Sequence, residues 1–107
     1  MNEYILISER KVNSMKTTLL FTRKFNKEEY KFFINEPEYV GEKGICGLEV
    51  APYVHVETPE NDFGYTDTVL MQNGQAYTLH RYLQPWILKR IEKIMKQIQN
   101  SYPYTVY

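Results

Sequence analysis

The chain has 107 residues, of which 43% are hydrophobic and 15% aromatic, enough for one packed domain and too apolar for a disordered tail. Its 13 Lys/Arg balance 13 Asp/Glu, which speaks against a uniformly basic nucleic-acid surface. A single cysteine, Cys46, excludes an intramolecular disulfide and a cysteine-rich zinc site, and favours a reducing, cytoplasmic setting.

No apolar run approaches the roughly 18 residues of a membrane span, so no membrane partner is expected. The opening MNEYILISERK is not a secretory signal, because an acid precedes a very short apolar patch. Met15 is an alternative initiator, which would make residues 1–14 an N-terminal extension of a single domain spanning 1–107. Tyr, Lys, Asn, Ile and Phe are plentiful and alanine is scarce, a bias that suits a phage or mobile-element source. The neutral total hides a segregation of charge. Residues 1–32 carry seven basic against four acidic groups, net +3, and residues 33–80 carry one against eight, net −7. Residues 81–107 carry five against one, net +4.

In chain order, EYILIS (3–8) reads as a short strand. TTLLFTRKF (17–25) alternates, with Leu19, Phe21 and Phe25 on one side. NKEE (26–29) is a turn, and YKFFIN (30–35) returns to complete a hairpin. EPEYVGEKG (36–44), with Pro37, Gly41 and Gly44, is a loop. ICGLEV and YVHVET flank Ala51-Pro52, and proline cannot donate to a ladder, so they form one strand bent at a bulge or two edge strands. TPENDFGYTD (58–67) is an acidic loop. Asn73-Gly74 between two β-prone runs calls for a two-residue hairpin, placing Gln72 opposite Gln75 and Leu70 opposite Tyr77.

From Pro85 to about residue 99 the pattern becomes helical, with proline in the first turn where its missing N–H costs nothing. Leu83, Ile87, Ile91, Ile94 and Ile98 form one stripe, with Met95 at its edge. The expected fold is α+β: an antiparallel sheet of five to six strands with one long C-terminal amphipathic helix packed on one face. Residues 101–107 are a tail or a last edge strand.

Candidate chemistry is sparse. His55 and Glu57 alternate onto one strand face, where Asp62 or His80 would be needed to complete a metal-dependent enzyme's site; a solvated strand face is the simpler reading. Cys46 reads as a small buried hydrophobe rather than a nucleophile. No glycine-rich phosphate loop and no nucleophile elbow occurs, and no cofactor is implied.

On the helix, Lys89, Lys93 and Lys96 share the face opposite the isoleucines, and Glu92 can pair with Lys96. Trp86 falls between the two faces, with Tyr82 and Arg90 nearby, and such residues dominate interface energetics. The expected partner surface is therefore Tyr82, Trp86, Lys89, Arg90 and Lys93. The function expected is that of a small non-enzymatic binding protein (an inhibitor, adaptor or regulator) acting on a protein partner or on itself. A nucleic-acid-binding regulator using the basic helix is the alternative.

Overall fold

A computed structural model describes residues 15–37 and 51–102 of the chain. Five strands run in the order of the sequence: β1 (Met15–Phe25), β2 (Glu28–Pro37), β3 (Tyr53–Glu57), β4 (Thr68–Gln72) and β5 (Gln75–Thr78). Each is antiparallel to its neighbour, making one meander, and α1 (Pro85–Ser101) follows. This is the α+β architecture expected from the sequence. The readings for 3–8, 38–50 (Cys46 included) and 103–107 lie outside the described residues.

The second hairpin has the expected register. Asn73 and Gly74 both take positive φ, 53° and 76°, and Gln72 faces Gln75 while Leu70 faces Tyr77. The first hairpin is tighter than expected. Asn26 and Lys27 alone make the turn, both at positive φ, so Glu28 and Glu29 belong to β2. β2 also runs on to Pro37, where Met15 is its partner on β1.

β1 departs from simple alternation. The register passes from Leu19↔Phe33 to Phe21↔Phe32, so Leu20 is an extra residue in a β-bulge. Side chains before the bulge change faces relative to those after it. Phe21 and Phe25 accordingly face the core, and Phe21 stacks on Phe32 with ring centroids 4.9 Å apart. Leu19 does not share their side; it is exposed on the opposite face.

One sheet face carries Phe25, Tyr30, Phe32, Ile34, Val54, Val56, Val69 and Ala76, all buried. Their spacing of two along each strand is what puts them on one side. α1 lies over this face, packing on β3 and β5 through Ile87, Ile91, Met95 and Ile98. The buried line thus steps by four, four and three residues, and Met95 is at its centre where Ile94 was expected. Ile94 is half-buried at the margin, and Leu83 packs against the core from just before the helix.

α1 is also pinned by hydrogen bonding. The N–H of Ala76, on the sheet's edge strand, donates to Glu92 Oε1 at 2.9 Å. This donated N–H holds the Glu92 carboxyl below its ordinary value, with the lysines at 96 and 89 helping. Lys96 stands 3.6 Å from the other carboxylate oxygen, the expected i,i+4 pair.

Ile91 and Met95 are fully buried, so truncating either leaves a cavity. Ile91→Ala and Met95→Ala are each expected to lower stability by about 2–5 kcal/mol in a urea titration. A loss under about 1 kcal/mol at either would contradict this packing.

Candidate functional site

The ends of β3 and β5 and the start of β4 lie together at one margin of the sheet, since Val56 pairs with Val69 and Val69 with Thr78. Two connections leave from this margin: the loop 58–67, and the segment 79–84 that leads into α1. Their backbones are tied to each other. The buried carboxylate of Asp67 accepts the N–H groups of His80 at 2.8 Å and Arg81 at 2.6 Å. The Thr58 hydroxyl accepts the N–H of Asp67 at 2.8 Å, and the Arg81 guanidinium donates to the Pro59 carbonyl at 2.7 Å. Thr78 Oγ1 donates to the Arg81 carbonyl. Burial alone would raise the Asp67 carboxyl, but the backbone N–H groups of His80, Arg81 and Thr68 outweigh it and hold the group below its ordinary value.

The loop itself is built around Asn61. Its side-chain oxygen accepts the N–H groups of Phe63 at 2.9 Å and Tyr65 at 3.0 Å. Its own N–H donates to the Tyr65 carbonyl and its carbonyl accepts from Gly64, both at 2.9 Å. Gly64, at φ 82°, supplies the left-handed position that closes the turn. A backbone held this way presents two aromatic rings outward, Phe63 at 83% exposure and Tyr65 at 71%.

The expected partner residues lie in the segment 79–84 and along α1. Tyr82 is 78% exposed and Trp86, in the first turn of α1, is 47% exposed with its indole N–H donating to Gln84 Oε1 at 2.6 Å. Leu79 is also exposed in the same segment. Tyr82 precedes the helix, so it is displayed by the tied segment rather than by a helical turn. Lys89, Arg90 and Lys93 are exposed along α1, and Glu60 and Asp62 are exposed in the loop. Leu79 and Tyr82 thus stand on a segment tied to the loop that carries Phe63 and Tyr65, and Trp86 follows in the first turn of α1. The two loop aromatics were missed in the sequence. The signal was the Asn61-to-Gly64 spacing, an Asx-type turn bracketing Phe63.

His55 and Glu57 do share a face, as alternation requires, and both are half-buried. Asp62 lies in the loop after β3 and His80 after β5; among the described residues no three His, Cys, Asp or Glu side chains are grouped to hold a metal. His55 is instead part of a side-chain network. Its Nδ1 lies 2.7 Å from Asn35 Nδ2, which also donates to the Tyr53 carbonyl at 3.3 Å. Asn35 Oδ1 accepts the Thr17 hydroxyl at 2.7 Å. Asn35 thus offers His55 its amide hydrogens, and Nδ1 is the acceptor of a neutral imidazole protonated at Nε2. Phe33 stacks on the ring at 4.8 Å. Burial lowers the imidazole from its ordinary value, and Glu57 offsets this only in part.

No known protein family, curated protein or solved structure matches the chain. Among the described residues, no helix is long and apolar enough to cross a membrane.

Two pH limbs follow. The neutral imidazole of His55 contributes stability that is complete above its unfolded value of 6.5 and is lost as pH falls below it. The Asp67 carboxylate contributes stability that is complete above 3.8 and is lost as pH falls through its lowered folded value. Urea midpoints measured from pH 8 to pH 3 should therefore decline in two stages, and His55→Gln should remove the upper stage. A midpoint independent of pH between 7.5 and 5 would contradict the His55 network.

Proposed function

We propose that the chain is a non-enzymatic binding protein of the cytoplasm, an inhibitor, adaptor or regulator, whose working surface is its aromatic end. One observation carries this reading: Phe63, Tyr65 and Tyr82, each more than two-thirds exposed, stand on backbone tied by Asn61 and Asp67. Exposed aromatic side chains gain most when buried in a partner, and a backbone already ordered loses little further entropy on binding. Rings held out to water do nothing for the chain's own core. They fit a protein partner that offers apolar pockets to the rings.

The charges around the rings set how such a partner approaches. Glu60 and Asp62 flank Phe63, while Lys89, Arg90 and Lys93 run along the adjoining helix. A bipolar rim of this kind steers and orients encounter more than it adds affinity.

Affinity purification from the host with the intact chain identifies the partner, and purified components then give the constants. Trp86→Ala, Tyr82→Ala and Phe63→Ala are each expected to weaken the complex at least tenfold with the circular dichroism spectrum unchanged. Changing Lys89, Lys93 and Lys96 together to Gln is expected to slow association without a comparable loss of affinity. The competing reading is checked on random single- and double-stranded DNA and RNA at physiological salt, where no binding is expected. Micromolar binding that the triple lysine variant loses would replace the protein-partner reading with a nucleic-acid one.

A further inference from the structure

β5 is the last strand of the sheet, with β4 on one side and, among the described residues, no strand on the other. The two-residue turn at Asn73-Gly74 determines which of its backbone groups are left over. The residues flanking such a turn exchange hydrogen bonds, and bonded positions alternate from there along an antiparallel pair. Gln75 and Tyr77 therefore point their N–H and C=O groups at β4, and Ala76 and Thr78 point theirs away from the sheet. The Leu79 N–H, bonded to the Thr68 carbonyl at 3.2 Å, continues the same alternation. An open strand edge of this kind is a template for another chain. Here the outward N–H of Ala76 already has an acceptor, and it is a side chain: Glu92 Oε1 stands where the carbonyl of a sixth strand would stand.

Between this edge and α1 lies a cavity of about 560 Å³, within the range of roughly 300–1,000 Å³ that ligand pockets span. Ala76, Pro85 and Leu88 give it an apolar wall. Lys89, Glu92 and Lys96, three and four residues apart on one helix face, give it a charged one. Asn73, Gly74, Gln75, Pro85, Lys89 and Lys96 around it are all exposed, so the cavity opens to solvent. The Glu92 carboxylate is held by the Ala76 N–H and by Lys96 at 3.6 Å. If an incoming carbonyl takes that N–H, Glu92 keeps its lysine, and the two lysines of the wall leave one positive charge unmatched.

We propose that this groove takes an extended segment of a protein partner, which adds to β5 as a sixth strand and carries an acidic side chain against Lys89 and Lys96. A backbone carbonyl of the segment replaces Glu92 on the Ala76 N–H, and its amides meet the outward carbonyls of Ala76 and Thr78. Main-chain bonds of this kind supply affinity, and side chains at alternate positions supply the choice of sequence. Every second side chain of the added strand faces α1. An apolar one meets Pro85 and Leu88, and an acidic one two positions away neutralises the unmatched lysine. Glu92 is thus a built-in stand-in for the ligand's carbonyl, and it keeps the free edge from pairing indiscriminately. The cavity reaches the Asn73-Gly74 turn, whereas the tied loops leave from the opposite end of β5, so this surface is separate from the aromatic end and does not depend on it.

Random peptides of about ten residues, displayed on phage and selected on the full chain, are expected to converge on an acidic residue two positions from an apolar one. Fluorescence anisotropy of a labelled copy of a selected peptide then gives the dissociation constant. Methylating its amide nitrogens one at a time should cost about tenfold at alternate positions and little between them, the mark of a peptide paired along one edge. Lys89→Gln with Lys96→Gln should weaken binding about tenfold, while Lys16→Gln with Lys24→Gln, on β1 across the sheet, should leave it unchanged. Glu92→Gln keeps an acceptor for Ala76 and removes the competing charge, so it should tighten binding severalfold. A selection that yields no acidic consensus would overturn the proposal, as would a methylation scan without alternation. Binding that survives the exchange of Lys89 and Lys96 but is lost with Phe63→Ala would also overturn it, and would assign the peptides to the aromatic end.

Discussion

The carboxylate of Asp67 is the group on which one end of this molecule depends. A chain that leaves β5 and turns toward a helix has backbone N–H groups with no strand or helix to accept them. Asp67 accepts two of these, from His80 and Arg81, and does so from the start of β4. A charged acceptor makes such bonds stronger than neutral ones, and it is buried, so its loss would leave two donors unsatisfied. Arg81 returns the link by donating to Pro59. The segment that starts α1 is thereby fixed on the sheet. Glu92 holds the helix again two turns later, through the Ala76 N–H. Between these anchors the rotation of the helix is set, and Ile87, Ile91, Met95 and Ile98 are the side chains that meet the core.

The bulge at Leu20 plays a comparable part on the other side of the sheet. One additional residue reverses the facing of everything beyond it. Without it, Leu19 would join Phe21 and Phe25 toward the core and Leu20 would stand opposite Phe33 on the other face. With it, Leu19 takes the place opposite Phe33, Leu20 packs against the core, and Phe21 still reaches Phe32.

Much of this was legible in the sequence, for identifiable reasons. Asn73-Gly74 and the isoleucine spacing are local signals, one in backbone conformation and one in periodicity, and both gave correct elements. Exposure of Trp86 followed from its place between the isoleucine stripe and the lysine row. The errors all concern information that is not local. The bulge depends on how β1 meets β2, and alternation within β1 cannot reveal it. Met95 ranks above Ile94 because the sheet, not the helix wheel, fixes the centre of contact. The Arg81 guanidinium donates to the carbonyl of Pro59, 22 residues earlier in the chain, a tie that no local pattern announces. Likewise, the strand face of His55 and Glu57, read as solvated, is half-buried, and the His55 ring nitrogen is engaged by Asn35 from the adjacent strand.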